Sequence, residues 1–257
     1  MSRVVFGVRP VEELCRARPR EVVIVYVADG YRSKEIETAV AAAKDRGITV
    51  EFRPRALVAD LAASPNHQGM AAVAGEFQYA RADQMLAAAS AAGEPSLLLI
   101  LDCITDPQNF GALVRSAEVL GAHGVIVPDK HAAPVTGAVV KASAGASERM
   151  RIARVHNLLG TLDWLREQGV AVWGGAADET AGPLAQADLR GPAAIIIGGE
   201  GRGLRTAVAR RCSHLVQIPQ RGHVASLNAS VAGAILLYEA VRQRASQAIS
   251  SAARTPG

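Results

Sequence analysis

Residues 195–239 read IIIGGEGRGLRTAVARRCSHLVQIPQRGHVASLNASVAGAILLYE. The apolar, strand-like run Ala193–Ile197 empties into a glycine-rich turn, Gly198-Gly199-Glu200-Gly201-Arg202-Gly203. No acidic residue occurs between Glu200 and Glu239, yet five arginines do: Arg202, Arg205, Arg210, Arg211 and Arg221. The polar trio Ser226-Leu227-Asn228 then stands at the start of a long apolar helix. Strand, glycine turn and basic segment together predict a small-molecule pocket beside an anionic partner.

The same pattern extends backwards from this stretch. Strands are predicted at Leu97–Leu101, Val125–Val127, Ile152–Arg154, Val170–Trp173, Ala193–Ile197 and Leu215–Gln217. Helices are predicted at Phe110–Leu120, Thr136–Ala142, Leu158–Gln168, Arg205–Arg211 and Asn228–Arg244. Continuously apolar strands alternating with helices imply a parallel sheet covered on both faces. Ligands of such sheets bind beyond the carboxyl ends of the strands, so the loops after Leu101, Val127, Trp173, Ile197 and Gln217 are the ones to inspect.

The loop after Leu101 reads DCITDPQNFGALVRSA, residues 102–117. Asp106 or Asn109 can cap the helix that Pro107 starts. Gly111 inside the first turn costs about 1 kcal/mol against alanine, which suggests a close backbone or ligand approach. Arg115 follows Asn109 by close to two helical turns, so the two share a face, and it is a cation in an otherwise apolar helix. The loop after Gln217 offers two caps, Ser226 and Asn228, where one helix needs one. His223 beside Ser226 lacks the GxSxG elbow of a serine hydrolase. The turn after Ile197 fails as a dinucleotide site. A G-x-G-x-x-G reading from Gly199 meets Leu204 at its third glycine, and no ribose-binding acid follows before Glu239.

Towards the N-terminus, VVFGVRPVEELCRARP gives a strand and a helix, and Glu21–Val27 a buried strand. A helix capped by Ser33 runs Lys34–Arg46, followed by a strand at Ile48–Phe52, a helix at Ala56–Leu61 and a strand at Met70–Ala74. This is a small α/β layer domain. Its loop Asn66-His67-Gln68-Gly69 reads as a turn, with an RNA contact as the alternative. Residues 81–95, RADQMLAAASAAGEP, read as a short helix and a hinge. The partition is thus an N-terminal domain over 1–76, a helical join over 77–95, a larger domain over 96–246 and a tail over 247–257.

Composition narrows the classes. At 257 residues with nearly half of them apolar and a fifth charged, the chain can bury a substantial core. No apolar run reaches the roughly 18 to 20 residues of a membrane helix, and the first residues do not form a signal peptide, so a cytoplasmic protein is expected. Cys15, Cys103 and Cys212 are too scattered for a disulfide framework or a CxxC site, and the six histidines show no metal-ligand pairing. The net charge of +4 is modest, but its distribution is uneven. Residues 1–80 carry 11 Lys+Arg against 10 Asp+Glu, whereas residues 97–257 carry 16 against 12.

Three segments, DCITDPQNFGALVRSA, IIIGGEGRGL and IPQRGHVASLNASVAGAI, resemble in order and spacing the three signature motifs of the SpoU/TrmH ribose 2′-O-methyltransferases. VVFGVRPVEEL and NHQGMAA resemble that family's N-terminal RNA-binding domain, so the likeness covers nearly the whole chain. The resemblance implies a deep trefoil-knotted α/β (SPOUT) domain, plus a small N-terminal α/β domain like a ribosomal protein. It implies S-adenosylmethionine as cofactor, and a homodimer whose active site draws on both subunits; no metal and no membrane are expected from the residues themselves. Carried over by position, Gly198, Ile218 and Leu227 lie against the cofactor, and Gly199, Glu200 and Gly203 shape the turn. Asn109, Arg115, Glu200, Ser226 and Asn228 line the reaction site. The family usually has methionine at Gln220 and often histidine at Arg9. The implied substrate is a guanosine in 23S rRNA; tRNA, an rRNA adenosine, or a non-enzymatic ribosome-assembly role remain alternatives.

Overall fold

The computed structural model describes residues 2–176, 180–199, 201, 203–223 and 226–252, the side chains of 248–252 excepted. Packing divides the chain into two compact units. The first comprises residues 1–78, 110–115 and 134–150, and the second comprises 79–109, 116–133 and 151–257.

The first unit opens with β1 (Arg3–Phe6), α1 (Val8–Ala17), β2 (Val22–Ala28), α2 (Lys34–Lys44), β3 (Val50–Arg53), α3 (Arg55–Ala62) and β4 (Met70–Ala74). The strands form one mixed sheet in the order β1-β4-β2-β3, with β4 antiparallel to both neighbours and β3 parallel to β2. Ser33 caps α2 by accepting from the Ile36 N–H at 3.3 Å, as the sequence predicts. Val5, Val11, Leu14, Val25, Val27, Val58 and Met70 are fully buried and form the core. The Asn66–Gly69 loop is a turn whose polar groups serve this unit. His67 is buried with its Nδ1 accepting from the Gly69 N–H at 3.1 Å, and Lys141 donates to the Asn66 carbonyl.

The chain then adds α4 (Ala82–Ala92), β5 (Leu97–Asp102), α5 (Pro107–Val119), β6 (Gly124–Pro128), α6 (Gly137–Ala142) and α7 (Ala146–Arg149). It continues through β7 (Ile152–Val155), α8 (Leu158–Glu167), β8 (Ala171–Gly175), β9 (Gly182–Pro183), β10 (Ala193–Gly198), α9 (Thr206–Ala209), β11 (His214–Gln217) and α10 (Ala229–Ala252). α6 and α7 pack with the first unit, and α7 carries a carboxylate into its interior. Glu148 has a fully buried side chain. Arg3 donates to it at 2.5 and 2.9 Å, and the Arg18 Nε lies 3.4 Å away. Both guanidiniums stack on Phe77, at 5.2 and 4.5 Å from the ring centroid. The glycine at position 111 is explained here as well. A Cβ on it would come within 2.4 Å of the Ala142 Cβ and 2.8 Å of the Ser143 nitrogen, so the close approach is to the protein's own chain rather than to a ligand.

The second unit is built on seven strands in the order β7-β6-β5-β10-β8-β11-β9. Every pairing is parallel, as the run of apolar strands predicts. β10 is last but one in the chain yet occupies the centre, between β5 and β8. Met85, Leu98, Ile100, Ile126, Leu162, Leu165, Val172, Ile196 and Val208 form one buried cluster on this sheet. α4 is more than a join, because its Met85 is fully buried in that cluster. The helix predicted over Arg205–Arg211 forms a single turn, Thr206–Ala209, while the final helix extends well beyond Arg244. The two-residue strand β9 and the one-turn helix α7 carry no periodic signal and are not expected from the sequence.

Candidate active site

Because every pair in the large sheet is parallel, the strands end on one edge. At that edge Gly198 of β10 stands in register with Asp102 of β5, and Gly175 of β8 with Val216 of β11. A pocket of about 480 Å³ opens there. Its walls come from the ends of β8 and β10 (Gly175, Ile197, Gly198), from the glycine turn (Gly199, Gly201, Gly203), and from the chain leading into α10 (Ile218, Gln220, Ser226, Leu227). Leu236 of α10 closes one side.

The start of the turn, at Gly198 and Gly199, has no room for a side chain, whereas Gly201 and Gly203 are open. A Cβ on Gly198 would lie 2.1 Å from the Gly203 carbonyl carbon, and one on Gly199 would lie 2.5 Å from the Cys103 carbonyl oxygen. The turn folds back on itself, with the Gly203 N–H donating to the Gly199 carbonyl at 2.9 Å. Glycine is therefore required at 198 and 199 because backbone passes against backbone. Of the expected turn residues, Glu200 lies outside the described residues, as does Arg202.

A residue pair that the motifs do not single out anchors this turn. Asp102 is fully buried at the end of β5. It accepts from the Arg205 backbone N–H at 3.0 Å and from the Arg205 Nε at 2.7 Å. The hydrogen bond to Asp102 raises the Arg205 pKa above its ordinary value, so the guanidinium is firmly charged. A buried carboxylate held by backbone N–H and guanidinium together is a strong, directional clamp. It fixes the residue immediately after Leu204, and so the exit of the glycine turn.

At the start of α5, Asp106 rather than Asn109 is the cap, accepting from the Asn109 N–H at 2.9 Å. The Asn109 side chain instead accepts from the Asn228 Nδ2 at 2.9 Å. Asn228 in turn caps α10, its Oδ1 accepting from the Ser230 N–H at 2.9 Å and the Ser230 hydroxyl at 2.6 Å. Two residues from distant motifs are thus joined directly, and Ser226 is left as a pocket-lining residue rather than a cap. Arg115 lies on α5 beyond Asn109 and is exposed. It enters no ion pair or side-chain hydrogen bond among the described residues, and the pocket walls do not include it.

Burial pushes the Cys15 and Cys212 thiols up to about 11, so both are protonated near neutral pH. Among the described residues no group of three His, Cys, Asp or Glu side chains could hold a metal ion. No helix among them is long and apolar enough to cross a membrane.

A parallel α/β unit with a glycine turn and an apolar pocket beyond the strand ends belongs to the class of nucleotide- and nucleoside-binding enzymes. Comparison with known proteins narrows this. The model of the SpoU rRNA methylase family matches residues 96–238, and that of the RNA 2′-O ribose methyltransferase substrate-binding domain matches residues 4–80. The chain belongs to the SpoU rRNA methylase family. It is 39% identical over 246 residues to the 23S rRNA (guanosine-2′-O-)-methyltransferase RlmB of Pseudomonas syringae pv. tomato, covering 95% of this chain and 96% of that protein. It is 36% identical over 230 residues to the putative TrmH family tRNA/rRNA methyltransferase YacO of Bacillus subtilis, covering 88% and 90%. Among solved structures, the SpoU methyltransferase AviRb of Streptomyces viridochromogenes, in complex with the cofactor AdoMet, superposes with a TM-score of 0.77 at 29% identity, covering 95% of this chain and 91% of that one. The architecture is therefore that of the SpoU (SPOUT) methyltransferases with an added N-terminal substrate-binding domain.

Proposed function

We propose that this chain transfers a methyl group from S-adenosylmethionine to the ribose 2′-hydroxyl of a guanosine in 23S rRNA. The observation that carries the reading is the pocket at the end of β10. Its volume lies within the range of small-ligand sites, roughly 300–1,000 Å³, and its walls are apolar except for backbone groups of the glycine turn, Gln220 and Ser226. That lining suits a nucleoside with a flat apolar face and hydrogen-bonding edges. Gly198, Ile218 and Leu227 would hold the cofactor, and Gly199 and Gly203 would set the turn around it. A guanosine of 23S rRNA is the substrate of the Pseudomonas relative, and AdoMet is the cofactor bound to AviRb; both are carried to this chain by similarity.

When bound, S-adenosylmethionine supplies an electrophilic methyl on a sulfonium. The work left to the chain concerns the hydroxyl, which is a weak nucleophile until it is deprotonated or polarised. Arg115 cannot act as a base, because a guanidinium stays protonated. As an exposed cation it holds a phosphate of the target nucleotide and favours the developing alkoxide. The proton leaves to that phosphate or to bulk water. Asn109, tied to Asn228, orients the hydroxyl, and Ser226 and Glu200 complete the reaction site.

Residues 1–76 would grip the RNA, 77–95 join the domains, and 96–246 carry out the transfer, with 247–257 as a tail, all in the cytoplasm. A homodimer fits this reading. Val231 and Tyr238, seven residues apart on α10, are exposed apolar side chains, as are Leu227 just before it and Val119 on α5. The second subunit would bring its own Arg115 to the pocket. Titration calorimetry with S-adenosylmethionine, run beside a methylation assay, tests the assignment. Arg115→Ala is expected to bind the cofactor as the unmodified protein does while losing methyl transfer. If the unmodified protein takes up no S-adenosylmethionine, the reading is wrong.

A further inference from the structure

The end of β3 is unusual for the edge of a small sheet. From Phe52 to Leu57 six consecutive residues, Phe-Arg-Pro-Arg-Ala-Leu, are exposed. Phe52 leaves 56% of its surface in solvent, and Leu57 leaves 45%. β3 is the outer strand of its sheet, and among the described residues it pairs with β2 alone and no further strand covers this side. The loop after β2 comes to the same end, since the Asp29 N–H donates to the Arg53 carbonyl at 2.9 Å. That loop contributes Tyr31 and the exposed Arg32. The Arg55 guanidinium lies over the Tyr31 ring at 5.6 Å. Arg53 is tied to Glu51 at 2.6 Å with nearly half of its side chain exposed, whereas Arg32 enters no ion pair among the described residues.

We propose that this end of the sheet is a contact surface for single-stranded RNA, with Phe52 stacking on a base and Arg32, Arg53 and Arg55 holding the flanking phosphates. An exposed aromatic ring set among arginines is the arrangement by which single strands are held without base-specific hydrogen bonds. The ring supplies a stacking face and the guanidiniums track the backbone. A protein strand adding to β3 is the competing occupant. It is disfavoured because Pro54 directly after the strand, and arginines on either side of it, are features that block edge pairing. The proposal rests on the reading of the chain as an RNA methyltransferase, and it adds which face of the N-terminal unit meets the substrate.

The test uses the full chain and two probes: a short fluorescein-labelled uridine oligoribonucleotide, and a protein-free 23S rRNA transcript. Phe52→Ala should weaken binding of the oligonucleotide about tenfold, the scale of one base–aromatic stack. The pair Arg32→Gln and Arg55→Gln should lower the salt dependence of binding by roughly 0.7 for each single-strand phosphate no longer neutralised. With the 23S transcript, all of these variants should raise KM for RNA while leaving kcat and S-adenosylmethionine affinity unchanged. Phe52→Leu, which keeps an apolar side chain but no aromatic face, should behave like Phe52→Ala. If Phe52→Ala and the arginine variants bind and methylate RNA as the unmodified protein does, the surface proposal is overturned and the methyltransferase reading stands. If the unmodified protein does not methylate the transcript at all, it is that reading which fails. A variant that loses cofactor affinity as well as RNA affinity also overturns the proposal, since the face would then be supporting the fold rather than the substrate.

Discussion

Two carboxylates among the described residues are completely buried and both are met by arginine, yet the pairs are built differently. Glu148, in the first unit, is enclosed by Arg3 and Arg18, and both guanidiniums are covered by the Phe77 ring. The Arg3 side chain is itself only 9% exposed. Asp102, in the second unit, is met by a single arginine whose side chain is 43% exposed, and by that arginine's backbone N–H. The first arrangement is closed on itself and knits three chain segments together. The second is open on one side, and its backbone bond fixes where the glycine turn must end. The same ionic chemistry thus holds a fold together in one unit and positions a binding loop in the other.

The largest effect should come from opening the closed cluster. Glu148→Gln takes the buried counter-charge away from Arg3 and Arg18 and leaves them Glu21 alone, at a cost of about 3 kcal/mol of stability. Chemical denaturation followed by circular dichroism would show it, with cofactor affinity in the surviving folded protein unchanged. Asp102→Asn should reverse the balance. The half-exposed partner limits the stability loss to about 1–2 kcal/mol, while S-adenosylmethionine affinity falls about tenfold as the turn loosens. Arg205→Lys should give a smaller loss of affinity, because one of the two guanidinium nitrogens that converge on Asp102 Oδ1 is lost while the backbone N–H bond to Oδ2 remains. The contrast between the two pairs would collapse if Asp102→Asn destabilised the chain as much as Glu148→Gln and left cofactor binding intact.

A subtler effect concerns His67. Burial, with Arg55 and Lys141 adding repulsion, lowers its pKa below the ordinary 6.5, so the folded chain prefers the neutral ring. The neutral ring accepts the Gly69 N–H through Nδ1, and protonation would remove that acceptor. The stabilisation is therefore complete above pH 6.5 and is lost as pH falls through the unfolded value towards the lower folded one. Stability measured from about pH 7.5 to about pH 5 should decline, and His67→Gln should flatten part of that decline. An unchanged slope in the variant would assign the pH dependence to other groups.

How far the sequence carries the structure depends on the range of each interaction. The all-parallel sheet is legible because its strands are uninterrupted apolar runs, and of the five loops its strand ends single out, those after Trp173, Ile197 and Gln217 line the pocket while those after Leu101 and Val127 do not. Gly198 and Gly199 stand out as special, but the physical reason is the approach of the Gly203 and Cys103 carbonyls, which no local pattern reveals. Asn109 could be a cap or a site residue on sequence grounds. Asp106 takes the cap, and the Asn109 side chain meets Asn228, 119 residues away in the chain. Asp102 escapes notice entirely. A single acid at a strand end carries no periodicity, and its partner Arg205 is 103 residues distant. The second surplus cap, Ser226, is the more useful clue, since a residue not needed to start a helix faces the pocket.

Methyl transfer to a ribose hydroxyl is the use to which the pocket at the end of β10 is assigned. The most direct test incubates the purified chain with protein-free 23S rRNA and methyl-labelled S-adenosylmethionine, digests the RNA to nucleosides and identifies the labelled product by mass spectrometry. Label is expected in 2′-O-methylguanosine and is lost in Arg115→Ala. Label on a base, or on no nucleoside at all, would contradict that assignment.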